Sequence, residues 1–168
     1  MKKLIFCAAI LATILACNQP KTETASDATA KALYEKNLAS LQSGISAFEK
    51  EDINGWAATV ADSAKWSSPM YGAREGKKED WKNALSSYMA DWDGLKLENA
   101  NFLPGIDSTT HEPDGSVRYY GVWTGVHKSG VKTSLKFYGT YDFNKDGKIV
   151  FGDEYFDLGG LMNAVKPK

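Results

Sequence analysis

Apolar and polar residues alternate along the C-terminal part of the chain, between Val117 and Asp157. In Val117–His127 and Val131–Phe143 the odd-numbered positions carry most of the large apolar side chains, and the even-numbered positions include charged and hydroxyl side chains. A third strand-like run follows from Ile149. A period of two residues is typical of half-buried strands. The pattern therefore predicts three consecutive strands with one apolar face.

Two glycine-closed turns, Lys128–Gly130 and Lys145–Gly147, join these runs. Both are predicted as three-residue hairpin loops in which glycine supplies the left-handed position. Such loops pair residues of equal parity and predict an antiparallel meander with these opposed pairs: Trp123 with Leu135, Tyr141 with Phe151, and Phe143 with Ile149. A two-residue Asp-Gly turn would instead place Tyr141 against Gly152 and would bury less apolar surface.

This register places ionisable groups on the apolar face of the meander. Asp153, opposite Gly139, and Asp157 share the predicted face, and His127 lies on it at the end of its strand. Because ionisable groups on an apolar face are costly unless they are paired, hydrated or used, Asp153, Asp157 and His127 are the candidate catalytic residues. The alternative is that Asp157 caps the terminal segment, Asp153 faces solvent, and His127 is exposed at the hairpin.

The part of the chain before the meander is predicted to be mainly helical. Apolar residues spaced by three and four predict an amphipathic first helix. The predicted elements are a helix over Ala30–Glu51, a short helix from about Asn54 that carries Trp56 and Val60, a strand over Ala64–Pro69, a helix over Lys77–Trp92, a strand over Leu95–Leu103, and a terminal segment over Leu161–Val165.

Helices followed by antiparallel strands predict an α+β domain with the helices on one face of a curved sheet. This order of elements, with a Trp-bearing strand after the second helix and an end at Tyr155-Phe156-Asp157, resembles the nuclear transport factor 2-like superfamily, especially its SnoaL-like branch. The resemblance covers about Ala30 to Val165. It implies a cone-shaped, cystatin-like sheet whose concave face holds the N-terminal helices, with a pocket between them.

The resemblance also implies a choice of functions. Members include ketosteroid isomerases, polyketide cyclases, dehydratases and epoxide hydrolases, which use pocket carboxylates or histidines. In the epoxide hydrolase branch an acid three residues before the final Asp belongs to the site; here that residue is Glu154, which the predicted register turns outward. The branch's earlier Arg-x-Asp pair has no clear counterpart in Tyr119–His127, so that activity is not favoured.

The favoured function is binding of a small apolar or aromatic organic molecule, and the alternative is an isomerase, cyclase or hydrolase type of enzyme that uses a pocket carboxylate or histidine as general acid or base. No cofactor is expected. Many members of the superfamily dimerise through the outer sheet face, so a homodimer is an open prediction. The expected ligand-binding walls are aromatic: Trp66, Trp123, Phe137, Tyr141 and Tyr155.

The second turn also resembles an EF-hand calcium loop. Asp142, Asn144 and Asp146 occupy its first, third and fifth positions, Gly147 the sixth, and Asp153 the twelfth. A bidentate Glu is usual at the twelfth position, and Thr133–Tyr141 alternates as a strand where a helix is required. We therefore favour the hairpin and expect no metal, with the calcium loop as the alternative.

The N-terminal residues indicate export. Lys2 and Lys3 precede the apolar run Leu4–Leu15, which is typical of a signal peptide and too short for a membrane span. The following Ile14-Leu15-Ala16-Cys17 resembles a bacterial lipobox, which implies cleavage before Cys17 and its lipidation. We expect a signal peptide over 1–16, a lipidated Cys17 with a flexible tether over 17–29, and the domain over 30–168, held on a membrane of the bacterial cell envelope and facing the periplasm or exterior.

The net charge limits the partners that the sequence predicts, and the cysteine content limits the disulfides. The formal net charge is −1, and −1 − 2 = −3 once Lys2 and Lys3 are removed. Without a basic cluster, nucleic acid is not an expected partner. The other cysteine, Cys7, lies in the predicted signal peptide, so the mature domain holds no disulfide and must be stabilised by packing.

Overall fold

A computed structural model describes residues 25–167 as four helices and six strands. The helices are α1 (Ala25–Glu49), α2 (Ile53–Ala58), α3 (Lys78–Asp91) and α4 (Leu158–Ala164). The strands are β1 (Val60–Ser67), β2 (Gly76–Lys77), β3 (Trp92–Ile106), β4 (Pro113–His127), β5 (Lys132–Phe143) and β6 (Ile149–Tyr155). The predicted signal peptide and Cys17 lie outside the described residues.

All six strands form one curved sheet in the order β2-β1-β6-β5-β4-β3. Strand β1 runs parallel to β6, and the other neighbouring pairs are antiparallel. Helix α1 packs on β4 and β3, and α3 packs on β1. The α+β fold class and the helix-covered curved sheet are thus as the sequence predicts.

The boundaries of the elements differ from the predicted ones at several points. Helix α1 begins at Ala25, inside the segment that was predicted as tether. Asp52 caps α2 by accepting the N–H of Gly55 at 2.8 Å. Val60, which the sequence predicts in this helix, begins β1 instead and is fully buried there opposite Ile149. A β-branched side chain suits such a strand position.

The two predicted hairpin turns are confirmed. The N–H of His127 donates to the carbonyl of Val131 at 2.9 Å, and the N–H of Asn144 donates to the carbonyl of Lys148 at 2.9 Å, so each loop contains three residues. Gly130 and Gly147 adopt φ angles of 84° and 79°. The pairs Trp123–Leu135 and Phe143–Ile149 are confirmed as well.

Beyond Ile149, the predicted register is wrong, because β6 contains a β-bulge. Phe143 faces Ile149 and Asp142 faces Phe151, so Val150 is an extra residue on β6. The bulge places Tyr141 opposite Gly152 and Glu154 opposite Gly139. A slip of one residue moves each following side chain to the other face of the sheet. Glu154 therefore points inward, where the sequence placed Asp153.

The inward position of Gly152 is required by the ring of Trp81. A Cβ added at Gly152 would lie 2.3 Å from Trp81 Cη2. Trp81 is only 2% exposed and stacks between Trp66 and Tyr141, with ring centroids 6.0 and 6.1 Å away. The predicted register would have placed Phe151 opposite Tyr141 on this face, in the space that Trp81 fills. The bulge therefore makes room for the central ring of the core.

Within residues 25–167, no helix is long and apolar enough to cross a membrane.

Substitution Gly152→Ala tests this contact. Its methyl group would overlap the Trp81 ring, which is held on both faces, so we expect a loss of about 1–3 kcal/mol in the free energy of unfolding, measured by urea denaturation. Gly159→Ala in α4 is the matched control, because a Cβ there meets only Asp157 Oδ1 at 3.8 Å, and it should keep or raise stability. Equal stability of the two variants would contradict the account.

Candidate functional site

A partly open cavity of about 110 Å³ lies between the sheet and the helices. Its volume exceeds the roughly 10–15 Å³ that a single water needs. Helices α1–α3 contribute Leu41, Phe48, Trp56 and Trp81, and strands β4 and β5 contribute Tyr119, Trp123, Phe137 and Tyr141. About half of the lining residues are therefore aromatic, and most of the others are aliphatic.

Glu154 brings a carboxylate to this cavity from β6. Trp66 Nε1 donates to Glu154 Oε2 at 3.1 Å, and the Tyr141 hydroxyl donates to Glu154 Oε1 at 3.2 Å. Opposite Glu154, Gly139 leaves the space that the Tyr141 hydroxyl needs, since a Cβ there would lie 2.7 Å from it. Two neutral donors on two other strands thus fix both carboxylate oxygens.

Burial raises the pKa of Glu154 to about 7. The hydrogen bonds from Trp66 and Tyr141 and the nearby indole N–H of Trp81 oppose this rise, and the charge of Asp153 adds to it. The Trp81 Nε1 is itself buried and lacks a well-formed hydrogen bond within the described part of the chain. A carboxyl group that titrates near neutral pH can both accept and release a proton.

Three tyrosines around Glu154 stay protonated. Burial raises the pKa of Tyr88 to about 12, with a further contribution from the charge of Glu154. Burial also raises the pKa of Tyr119 and Tyr141 well above the ordinary value. Trp123 Nε1 donates to the Tyr119 hydroxyl at 3.4 Å. At neutral pH these hydroxyls therefore act as hydrogen-bond donors and acceptors without charge.

The structure places the two predicted aspartates away from the cavity. Asp153 lies on the outer face of the sheet, where it accepts a hydrogen bond from the Tyr155 hydroxyl at 2.5 Å. Asp157 caps α4 by accepting the N–H of Gly160 at 2.7 Å, which is the capping role considered as the alternative. The β-bulge turns Asp153 to the outer face of the sheet, and Asp157 lies beyond the sheet because it caps α4.

His127 is buried beside the first hairpin and does not line the cavity. Its Nδ1 accepts the N–H of Ser129 at 3.1 Å and lies 2.8 Å from the Ser129 hydroxyl. Its ring packs edge-on against Trp92, with centroids 4.6 Å apart. These contacts give His127 a structural role in closing the turn.

Three of the five predicted wall residues line the cavity: Trp123, Phe137 and Tyr141. Trp66 reaches the site through its hydrogen bond to Glu154 but is not part of the wall. Tyr155 is 55% exposed on the outer face, because it shares the parity of Asp153 beyond the bulge.

The loop over Asp142–Asp153 is a hairpin between β5 and β6, not a loop between helices. Asn144 Oδ1 is already occupied, since it accepts the N–H groups of Asp146 and Lys148 at 3.0 Å. Among residues 25–167 no group of three or more His, Cys, Asp or Glu side chains is placed to hold a metal ion. This geometry does not support the calcium-loop alternative.

Glu154 is the site residue that pattern reasoning missed. Its position three residues before Asp157 was the available signal, because the resemblance to epoxide hydrolases places an acid there. The predicted register overrode that signal.

Solved structures with the same fold were found, whereas no family model and no curated protein matches the chain. A proposed polyketide cyclase from Xanthomonas campestris pv. campestris superposes with a TM-score of 0.64 at 15% identity, covering 80% of this chain and 99% of that one. A proposed isomerase from Bacillus subtilis gives 0.65 at 15% identity, with coverages of 79% and 94%. An NTF2-like protein of unknown function from Burkholderia pseudomallei gives 0.61 at 16%, with coverages of 79% and 98%.

These likenesses identify the fold as nuclear transport factor 2-like. At such identities they establish the fold alone, so the site must be argued from this chain's own residues.

The raised pKa of Glu154 predicts a pH dependence of stability. Below about pH 4.5 the carboxyl group is protonated in both states. Between about 4.5 and 7 the unfolded chain releases the proton while the folded chain keeps it, so the free energy of unfolding falls with rising pH, by up to about 3 kcal/mol, and levels off above 7.

Urea denaturation between pH 4 and 8 measures this effect as the difference between the native protein and Glu154→Gln, which cannot titrate at this position. We expect the free energy of unfolding of the native protein, relative to that of Glu154→Gln, to fall as pH rises from about 4.5 to 7. Parallel stability profiles for the two proteins would show that Glu154 titrates normally.

Proposed function

We propose that the cavity binds a small, largely apolar organic molecule and that Glu154 transfers a proton on it as general base and acid. The observation that carries this proposal is the position of Glu154: it is the single Asp, Glu, His, Lys or Arg among the described residues that line the cavity. A carboxylate in an apolar surrounding, with a pKa near the working pH, is suited to proton transfer.

The surrounding contacts support the role. Trp66 and Tyr141 orient the carboxylate through neutral donors, so they hold it in place without the strong lowering of pKa that a lysine or arginine would cause. The aromatic walls supply an environment of low polarity in which charge interactions are strong. The cyclase and isomerase activities that are proposed for the Xanthomonas campestris and Bacillus subtilis proteins of this fold are compatible with proton-transfer chemistry.

Binding without reaction is the second candidate function. The aromatic and aliphatic walls favour it equally, because they would hold an apolar or aromatic ligand whether or not Glu154 reacts. A measurement of turnover distinguishes the two candidate functions.

Proton exchange at carbon provides the test of catalysis. In D₂O, the native protein should accelerate the loss of the α-proton NMR signals of cyclopentanone and cyclohexanone, with a rate that rises as pH passes about 7 because the ionised carboxylate is the base. The exchange rate with Glu154→Gln should be lower than the native rate by about 100-fold or more. Asp153→Asn, on the outer face, should stay within about threefold of the native rate.

An unchanged rate in Glu154→Gln would overturn the proposal. A shift in the ketone signals on binding, with no exchange in the native protein, would favour the binding function.

We also propose that the protein is exported and anchored through lipid on Cys17, as the signal-like N-terminus and the lipobox resemblance support. The homodimer through the outer sheet face stays a prediction, and exposed Tyr120 and Tyr155 on that face are compatible with it.

Lipid labelling tests the anchor. When the full chain is expressed in a bacterial host with an alkyne analogue of palmitate, it should incorporate the label and sediment with membranes, because acyl chains bind the bilayer. Cys17→Ser should do neither. An unlabelled native protein in the soluble fraction would contradict the proposed anchor.

A further inference from the structure

The charge of Glu154 has no counter-charge in the described part of the chain. None of the ion pairs among the described residues involves Glu154, and its carboxylate oxygens accept hydrogen bonds from the neutral Trp66 indole and Tyr141 hydroxyl. A buried carboxylate is costly unless a positive charge pairs with it. When Glu154 is ionised, the cavity therefore carries a negative charge with no counter-charge among the described residues.

The rest of the wall disfavours an anionic ligand. Among the described lining residues there is no lysine, arginine or histidine. Tyr88 on α3, Tyr119 on β4 and Tyr141 on β5 interact with Glu154 and stay uncharged at neutral pH, and Asp153 on its own strand adds negative potential. An anion would be repelled by the ionised Glu154 and would find no positively charged side chain among the described lining residues.

Aromatic side chains make up about half of the lining. The four tryptophans of the wall are Trp56, Trp81, Trp92 and Trp123. The faces of aromatic rings carry partial negative charge and attract cations, and tryptophan does so more strongly than tyrosine or phenylalanine. Rings grouped around a pocket recognise quaternary ammonium groups. Carboxylate and rings therefore favour the same sign of charge.

We propose that the ligand of this cavity is a small organic cation, a substituted ammonium group whose positive charge lies beside Glu154 among the aromatic walls. This inference rests on the proposed role of the cavity as a ligand site and adds the chemical class of the ligand. A bound cation would lower the pKa of Glu154 and stabilise its ionised form.

Three probes of nearly equal shape test the sign of charge. Choline, its carbon isostere 3,3-dimethylbutan-1-ol and the anion 3,3-dimethylbutanoate differ mainly in charge. Binding is measured by intrinsic tryptophan fluorescence at pH 8, where Glu154 is ionised, and by calorimetry. We expect choline to bind at least tenfold more tightly than the alcohol, and the carboxylate not to bind.

The preference must depend on Glu154. It should fall below threefold in Glu154→Gln and persist in Asp153→Asn, which removes a carboxylate from the outer face whose charge is the smallest of the influences on Glu154. It should also fall in the native protein at pH 5, where Glu154 is protonated, a measurement that needs no variant.

Binding of the alcohol as tightly as choline would overturn the inference, as would a choline preference that survives both in Glu154→Gln and at pH 5. Failure of choline to bind at all would overturn it too. Ketone proton exchange tests the proposed function separately, so either idea can fail while the other holds.

Discussion

The close contact between Gly152 and the ring of Trp81 is the constraint on which the site depends. Trp81 comes from α3 and stacks between Trp66 of β1 and Tyr141 of β5, so it joins one helix to both neighbours of β6. Only a residue without a side chain fits beneath it on the cavity face. The extra residue Val150 brings Gly152 to that face, and Glu154 follows two residues later.

The same arrangement explains why a carboxylate can be kept in an aromatic core. Trp66 and Tyr141 form the stack with Trp81, and they are also the two donors to Glu154. Packing and hydrogen bonding therefore position the same side chains. Because both donors are neutral, desolvation remains the dominant influence on the pKa of Glu154, which therefore lies at about 7.

The parts of this fold that local chemistry decides could be predicted from the sequence. Glycines at the left-handed positions fixed both hairpins, and alternation fixed the pairing of Trp123 with Leu135. The fold class followed from the order of elements. The bulge could not be predicted in this way, because its cause is the ring of Trp81, which is far from Gly152 in the sequence and reaches it only through tertiary packing. Asp153 and Glu154 are neighbours, so an error of one residue exchanged a carboxylate on the outer face for the one at the cavity.

The most direct test of this account is the ionisation of Glu154 itself. Carbon-detected NMR can follow the side-chain carboxyl signals of the glutamates through a pH titration, and the Glu154 signal is assigned by its absence from Glu154→Gln. We expect a midpoint near 7 for this signal. A midpoint at or below the ordinary value of 4.5 would show that the carboxylate is hydrated or paired, and that it does not lie in the cavity as described.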